Sequence, residues 1–522
     1  MQENSKVNIL IKNTSWVYIN KVFFSILQVI VTILVIRKLD IDIYGTFNFL
    51  IASFFIFQIF AASQVASVFD RYIPELIKNK DYRRFKKLVT YGVVIAIFGL
   101  SALLILLYLF QKPFADLFNF MDFEKYLLAF MAYVIGRFAR VITEALIKAM
   151  LLHKQYAIIN MIVTALRSVL YLYFLPRITI NLMLYIEAAI GMLYGISSFV
   201  VAVVKYKKAM KTHNTADVIE SDISASRVMK FGLYSVFNEL GANIVQENSD
   251  VFIIKAMGNP FLLGLYTFAF KIYHILFQIL PLKDFFSVLR PLFFQKFTSE
   301  HTKEDFVHMF NFIIKFMLPL LTFPALYFFI FGKEVIEFVF DPKYIAAYTV
   351  TCIIMSNYIF TALFFPVGMT IQLKERMDIA LAGKIVVIFS LVAGFLGMKY
   401  FGIEGVAVAT VLGLILKNLL MLFLMKNKAH MEYRFSEFKN YVFISLFLVA
   451  LFYFTESFII NIWRLGMVSV LYVLAAGILV IMYHPFTDRD MLVIIKMRNS
   501  SKIGKKIAPF IEKVYNLKPN FE

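Results

Sequence analysis

The sequence predicts an all-α integral membrane protein of about fourteen transmembrane helices, with two pseudo-symmetric six-helix lobes around a central cationic cavity and two extra C-terminal helices. Three observations predict this fold. Of the 522 residues, 61% are hydrophobic and 17% are charged, which is far more apolar than a soluble domain. The apolar runs have the length of membrane-spanning helices rather than of barrel strands. Lys and Arg concentrate in alternate loops, as expected on the cytoplasmic side of a membrane.

Apolar windows bounded by charged and turn-forming residues predict the individual spans. The six spans of the N-terminal lobe, residues 1–204, are 14–36, 44–68, 88–110, 125–147, 157–175 and 180–204. A basic cytoplasmic linker, 205–230, precedes the C-terminal lobe, 231–424, whose spans are 231–256, 263–289, 307–331, 346–370, 379–400 and 404–424. Two further spans, 441–462 and 465–484, lie within 425–484. The basic tail, 485–522, is predicted to be either an amphipathic helix on the membrane surface or a frayed segment.

The basic residues also predict the orientation of the chain. The loops 71–87 and 205–230 are the richest in Lys and Arg, so both termini are predicted to be cytoplasmic. The same loops account for much of the net charge of +19. Because a nucleic-acid footprint would need a basic soluble surface, no nucleic-acid partner is predicted.

An internal repeat relates the two predicted lobes. The segment "VIRKLDIDIYGTFNFL" follows the first span, and "IIKAMGNPFLLGLYTFAF" follows the seventh. Each has an apolar–basic stretch, a short turn, a glycine and an aromatic-rich helix. Repeats of this kind are typical of transporters whose lobes surround a central binding site.

Several predicted spans carry charged residues, which are costly in lipid and therefore predicted to face inward. In span 4 they recur on one helical face, and Arg suits the geometry of a phosphate group. The predicted substrate-binding cations are Arg137, Arg140, Arg167, Lys21, Lys271 and Lys315. The alternative is that the charges pair with one another, as Arg140 with Glu144 or Lys255 with Asp250, and only hold the bundle together.

Acidic residues form a second candidate group. In span 7, Glu239, Asn243, Gln246 and Asp250 follow one helical stripe. Carboxylates crowded in a partly dehydrated cavity hold protons more tightly, so an ion gradient could drive transport through them. The predicted ion-coupling residues are Glu239, Glu247, Asp250 and Glu144; the alternative is a salt-bridge role.

The sequence contains none of the motifs of common catalytic or cofactor sites. It has no phosphate-binding loop, no G-x-S-x-G and no histidines at metal-ligand spacing, so neither catalytic residues nor a metal or cofactor are predicted. The "DRD" at 488–490 resembles the acidic pair of a glycosyltransferase but has no nucleotide-binding fold around it. "GMLYG" at 191–195 predicts a helix-packing face.

Three strings, "NTSWVYINKVFFSILQVIVTILVIRKLDIDIYGTFNFL", "GLYSVFNELGANIVQENSDVFIIKAMGNPFLLGLYTFAFKI" and "YFGIEGVAVATVLG", resemble the polysaccharide-transport family of the MOP superfamily, the Wzx-like flippases. The resemblance implies a non-enzymatic flippase of the bacterial cytoplasmic membrane. It further implies lobes that alternate access and move undecaprenyl-diphosphate-linked oligosaccharides to the outer leaflet. The implied partners are this lipid-linked glycan, the bilayer, and polymerase and assembly proteins.

Three alternatives stay open on the sequence. The lipid II flippases of the same superfamily share the helix number and the cationic lumen, but their arginine-rich first repeat is not evident here. The multidrug exporters typically have twelve spans and acidic sites, whereas this chain has basic excess. A membrane-embedded polysaccharide polymerase would display a large external loop, and the predicted external loops are short.

Overall fold

The computed structural model describes residues 25–58, 62–211, 224–244, 247–280, 302–374, 376–425, 431–483, 486–487 and 490. Within these ranges the chain forms helices and turns and no β-strand. The chain divides into two compact units, Met1–Thr267 and Phe268–Glu522. The predicted boundaries of the lobes, the linker and the tail stay predictions, and most of the tail lies outside the described residues.

Among its described residues the first unit contains ten α-helices and the start of an eleventh. They are residues 25–38 (α1), Ile41–Gln58 (α2), Gln64–Lys78 (α3), Tyr82–Leu109 (α4), Gln111–Leu117 (α5), Phe123–Ala149 (α6), His153–Phe174 (α7), Ile180–Lys211 (α8), Ala225–Ile244 (α9), Glu247–Met257 (α10) and Pro260–Ile279 (α11). The boundary between the two units falls within α11.

In the described part of the second unit the chain continues with five α-helices. They are Lys303–Glu334 (α12), Tyr348–Leu373 (α13), Met377–Met425 (α14), Lys439–Tyr453 (α15) and Ile462–Met482 (α16). In the described part of the chain nine helices are long and apolar enough to cross a membrane, and two shorter apolar helices accompany them. The predicted all-α membrane fold is confirmed, whereas the count of fourteen spans stays a prediction.

A seam of small residues joins α6 to α8. A Cβ atom at Gly136 would lie 2.3 Å from the carbonyl oxygen of Ala188, and one at Gly191 would lie 2.4 Å from the carbonyl oxygen of Gly136. Gly195 packs on Ala139 in the same seam. Small residues let two helix backbones approach closely where lipid provides no hydrophobic drive for association. The helix-packing face predicted from "GMLYG" is confirmed.

The first turns of α2 and α11 contact each other reciprocally. A Cβ atom at Gly45 would lie 2.2 Å from the carbonyl oxygen of Pro260, and one at Gly264 would lie 2.2 Å from that of Ile41. Ile41 and Pro260 begin their helices, so both glycines occupy the fifth position. The two segments of the sequence repeat therefore meet at equivalent positions.

Helix α14 covers both of the predicted spans 379–400 and 404–424, because the two halves are separated only by a break at Gly402. The φ angle of Gly402 is +65°, a value that glycine adopts readily. Beyond this break the chain folds back, since Gly397 packs on Gly405 and Ser390 on Gly413. The two predicted spans form a hairpin.

The last two helices pack on α12 through a hydrophobic cluster that includes Phe331, Leu448 and Tyr472. The hydroxyl of Tyr472 donates a hydrogen bond to the backbone oxygen of Phe323 at 2.9 Å. The helices that stand outside the sequence repeat are thus fixed to the second unit by aromatic packing and by buried hydroxyl groups.

Replacing Gly136 with Ala is expected to destabilise the first unit by about 1–3 kcal/mol, because the added methyl group meets a backbone carbonyl that cannot rotate away. Gly477→Ala is the matched control, since nothing lies within 4 Å of a Cβ atom at that helical position. Thermal unfolding of the purified protein in detergent would measure both. Equal unfolding midpoints for the two variants would contradict a stabilising role for the close packing of α6 on α8 at Gly136.

Candidate functional site

Helices α6, α7 and α8 each bring charged side chains to a face that is distinct from their exposed apolar face. Arg137 and Arg167 are half-buried, as is Glu187. On α7 the large exposed apolar residues, such as Ile162 and Val169, lie on the side opposite Arg167. The charged residues of this three-helix group therefore contact one another rather than the apolar surface.

The first group of charges, the Glu144 cluster, consists of Arg140, Glu144, Lys148, Tyr156 and Asn160. The Glu144 carboxylate lies 2.6 Å from Nζ of Lys148 and 3.6 Å from Nε of Arg140, and it accepts a 3.3 Å hydrogen bond from the Tyr156 hydroxyl. Arg140 also donates to the side-chain oxygen of Asn160 at 3.0 Å. One carboxylate is thus shared by two cations, and the predicted pairing of Arg140 with Glu144 is confirmed.

The second group, the Glu187 cluster, consists of Arg137, Arg167, Tyr171 and Glu187. Oε1 of Glu187 accepts hydrogen bonds from Nε of Arg167 at 2.7 Å and from the Tyr171 hydroxyl at 2.8 Å. The second guanidinium contact of Arg167 to the same oxygen is 2.6 Å. Arg137 interacts electrostatically with this carboxylate. Among the described residues, only Arg167 forms an ion pair with this acid.

Of the four cations in the two clusters, Arg137 has the fewest polar contacts among the described residues. Its Nε is buried and has no hydrogen-bond partner among the described residues, and its guanidinium carbon lies 5.8 Å from the centroid of the Phe54 ring. A buried guanidinium nitrogen without an acceptor is costly. The four cations of the two clusters face Glu144 and Glu187, and Asp70 of α3 adds a third carboxylate that interacts electrostatically with Lys148 and Glu144. These groups therefore carry one positive charge in excess, which suits an anionic ligand.

The predicted pairing of Lys255 with Asp250 is wrong. The Lys255 ammonium, only 2% exposed, donates to the backbone oxygen of Asn119 at 3.2 Å and lies 4.9 Å from the centroid of the Phe120 ring. Asp250 instead accepts a hydrogen bond from the Tyr266 hydroxyl at 2.5 Å. Residues five apart point to different sides of a helix, which is why these two do not meet.

Lys315 lies in an ion-pair network of the second unit. Its ammonium, 1% exposed, is 2.6 Å from Oδ2 of Asp490 and 2.5 Å from Oε2 of Glu437. The other oxygen of Asp490 lies 3.1 Å from Nε2 of His308. Two carboxylates already neutralise Lys315, so it does not supply an uncompensated cation. The acidic residue of "DRD" that the structure describes, Asp490, has the role of an ion-pair partner.

The structure describes only some of the remaining predicted site residues. Lys21 lies outside the described residues, as do the side chains of Glu239 and Glu247 in α9 and α10. Lys271 is half-buried on α11. The coupling role of Glu239, Glu247, Asp250 and Glu144 stays a prediction. Among the described residues no three His, Cys, Asp or Glu side chains form a group that could hold a metal ion.

The site residues predicted from the sequence did not include Lys148 and Glu187. A signal for both was present. Lys148 continues the helical stripe of Arg137, Arg140 and Glu144, and Glu187 is an acid in the middle of span 6. Only the packing of α8 against α7 shows that Glu187 is the acid that pairs with Arg167.

The fold is shared with solved structures of the MOP superfamily. The inward closed conformation of the lipid II flippase MurJ gives a TM-score of 0.65 at 14% identity, over 93% of this chain and 100% of that chain. A multidrug resistance MATE family transporter in its inward-facing conformation gives 0.59 at 12% identity, over 78% and 94%. A MOP superfamily transporter from Pyrococcus furiosus, for which a binding pocket of reversed polarity suggests a different function, gives 0.51 at 12% identity, over 80% and 95%.

These likenesses define the class, a multi-pass membrane protein with the MOP superfamily fold. The chain belongs to the family of polysaccharide biosynthesis proteins, whose sequence profile matches residues 10–297. No curated protein matches the chain. The family and the fold class predicted from the three sequence strings are confirmed.

The carboxyl group of Asp490 titrates far below its ordinary range. Burial alone would raise its pKa, but the interactions with His308, Lys315 and Thr487 outweigh burial and lower its pKa to about 2. Because this folded-state pKa is lower than the unfolded value of about 3.9, the carboxylate stabilises the fold at neutral pH, and that stabilisation is lost as the pH falls from about 4 to about 2.

Asp490→Asn is expected to destabilise the second unit by about 3 kcal/mol at pH 7, because it removes one of the two carboxylates that compensate a buried ammonium. The matched control is Asp378→Asn, at an exposed ion pair with Arg376, for which no measurable change is expected. Thermal unfolding in detergent at pH 7 would compare them. A wild-type midpoint for Asp490→Asn would show that the network contributes nothing to stability.

Proposed function

We propose that this protein is a flippase that moves polyprenyl-diphosphate-linked oligosaccharides, the undecaprenyl-linked precursors of a polysaccharide, across the bacterial cytoplasmic membrane. The observation that carries the proposal is the cation excess of the two clusters, in which the buried Nε of Arg137 has no hydrogen-bond acceptor among the described residues. Membership of the polysaccharide biosynthesis family supports the same substrate class.

The chemistry of a diphosphate matches this face. Guanidinium groups offer several N–H donors in a plane and bind phosphate oxygens in pairs, which a lysine ammonium does not. Arg137, Arg140 and Arg167 provide three such groups within helices of the membrane domain. Because the diphosphate is the part of the substrate that lipid excludes most strongly, these residues would lower the main barrier to its passage.

The lipid and the sugar make different demands on the protein. The polyprenyl chain can remain in the bilayer, so the protein needs to shield only the diphosphate and the glycan. The substrate leaves chemically unchanged, and alternation between two states would suffice for its release on the other side. In cells, the polymerase and assembly proteins that use the glycan are the expected partners.

Two of the similar solved structures are of proteins with a stated function, and these functions are the alternatives to the proposal. MurJ is a lipid II flippase, and the MATE transporter is a multidrug resistance protein. The cation excess of α6–α8 favours an anionic substrate over a cationic drug. Between the two lipid-linked substrates, the family match favours a polysaccharide precursor.

Replacing Arg137, Arg140 and Arg167 together with Gln is expected to slow translocation at least about tenfold, because each lost charge-assisted hydrogen bond is worth about 1.5–3 kcal/mol. The assay uses proteoliposomes with the full-length protein and a polyprenyl-diphosphate-linked oligosaccharide, and it follows exposure of the glycan to an impermeant lectin. Protein abundance and unfolding midpoint are measured in parallel.

The matched control is Arg177→Gln, an exposed arginine beyond the end of α7 and outside both clusters. It should translocate at the wild-type rate. Wild-type translocation by the triple variant, at normal abundance, would refute a role for these arginines in substrate transfer.

A further inference from the structure

Lys255, in the last turn of α10, is a buried cation that forms no ion pair with a carboxylate among the described residues. Its ammonium donates to the backbone oxygen of Asn119 at 3.2 Å, and it lies 4.9 Å from the centroid of the Phe120 ring and 5.9 Å from that of Phe49. An ammonium has three N–H groups, so one hydrogen bond and two ring faces replace only part of its hydration. The burial of Lys255 is therefore costly.

Asn119, in the turn between α5 and α6, is bonded to the end of α10 in both directions. Its backbone oxygen accepts from Lys255, and its side-chain amide donates to the backbone oxygen of Ala256 at 3.1 Å. The last four carbonyl groups of a helix have no donor within that helix, and Asn119 supplies one. The φ angle of Asn119 is +47°, in the left-handed region that Asn adopts more readily than most residues. The turn thus binds the helix end through two hydrogen bonds.

The contacts of Asn119 lie at the end of the first unit where α2 and α11 also meet. Helix α10 ends at Met257 and α11 begins at Pro260, the residue that packs on the first turn of α2. The ring of Phe49 in α2 lies 5.3 Å from that of Phe118 and 5.5 Å from that of Phe252 in α10. With both termini cytoplasmic, the positive-inside rule predicts that this end faces outward.

The contacts of Lys255 and Asn119, together with the glycine contact between α2 and α11, are called the external closure below. They join segments that the sequence assigns to different lobes, because α2 and α5 lie within 1–204, whereas α10 and α11 lie within 231–424. Lobes that alternate access must separate on the side where the substrate leaves. The external closure therefore has to open during release to the outside.

We propose that Lys255 and Asn119 set the balance of the external closure in opposite directions. The hydrogen bond from Asn119 to Ala256 holds the closure shut, and the desolvated ammonium of Lys255 favours its opening. The inference rests on the proposed function, because a glycan moved to the outer leaflet must leave on this side. It adds the residues that control this step.

The two residues differ in what they gain from water when the closure opens. The amide of Asn119 and the carbonyl group of Ala256 exchange one neutral hydrogen bond for hydrogen bonds to water, a small net loss. The ammonium of Lys255 recovers a full hydration shell, a large gain for a charge that has no counter-charge in the closed state. Lys315 shows the contrast, because two carboxylates compensate its burial.

The test measures how often the external closure opens. The reporter is Thr46→Cys in a Cys352→Ser background, labelled from outside with a membrane-impermeant maleimide in spheroplasts that contain the full-length protein. Thr46 is only 7% exposed and lies three residues before Phe49, on the same face of α2. The labelling rate therefore reports separation of α2 from the segments that cover it.

The two variants are expected to change the labelling rate in opposite directions. Lys255→Met keeps an unbranched side chain but removes the charge, so labelling should slow at least about tenfold. Asn119→Gly suits the positive φ angle and keeps the backbone acceptor of Lys255, but it removes the hydrogen bond to Ala256. Labelling should then become about fivefold faster, as expected for one neutral hydrogen bond.

The matched control is Lys112→Met, an exposed lysine of α5, which should label at the rate of the unsubstituted reporter protein. A second reporter, Ser198→Cys at a buried position of α8, detects unfolding and should stay unlabelled in each variant. Faster labelling of both reporters by Asn119→Gly would overturn the proposal, because unfolding would then explain the rate.

Three further results would overturn it: no labelling at position 46 without the variants, a rate for Lys255→Met that is unchanged or faster, or a rate for Asn119→Gly that is not faster. The labelling needs no substrate, so it does not depend on what the protein carries. The proposed function fails separately, on the translocation assay of the triple arginine variant.

Discussion

The cost of placing charge in an apolar medium is the constraint on which this structure depends. A charged side chain at the centre of a membrane costs at least about 2.5 kcal/mol, so it must find a counter-charge or water. In the described part of the chain, three carboxylates provide such a counter-charge in the same way. Glu144, Glu187 and Asp490 each accept from two or more donors, and Asp490 joins residues that are distant in the sequence. Only around α6–α8 do cations outnumber the acids they contact within such a cluster.

The same helices carry the closest packing and the charges, and the two features support each other. Gly136 precedes Arg137, and Gly191 and Gly195 flank the Tyr194 that underlies Arg140. Close backbone approach fixes the relative height of α6 and α8, which places the ring of Tyr194 against the guanidinium of Arg140. Because lipid gives no hydrophobic drive to helix association, glycine contacts and shared carboxylates have to perform that function in this membrane protein.

Several features could be predicted from sequence because they depend on residues that are close along the chain. Hydropathy predicted the helices, and the repeat identified the glycines that meet at α2 and α11. The helical stripe of span 4 identified Arg137, Arg140 and Glu144. Lys315 could not be placed in this way. Its partner Asp490 is 175 residues away and follows the last helix, so no local pattern connects them. The pairing of Lys255 with Asp250 failed for the opposite reason, since proximity in sequence does not place two side chains on one helical face.

The sequence by itself determined that this is an all-α membrane protein of the polysaccharide biosynthesis family, since hydropathy, basic loops and family strings are properties of the residue order. It also determined that arginine is concentrated in spans 4 and 5. The pairing of Arg140 with Glu144 lies within one helix and follows from the sequence, whereas the tertiary structure alone decided that Arg167 meets Glu187. Electrostatic interaction depends on distance through space, and only the packing of α8 against α7 brings the Glu187 carboxylate within 2.7 Å of Nε of Arg167.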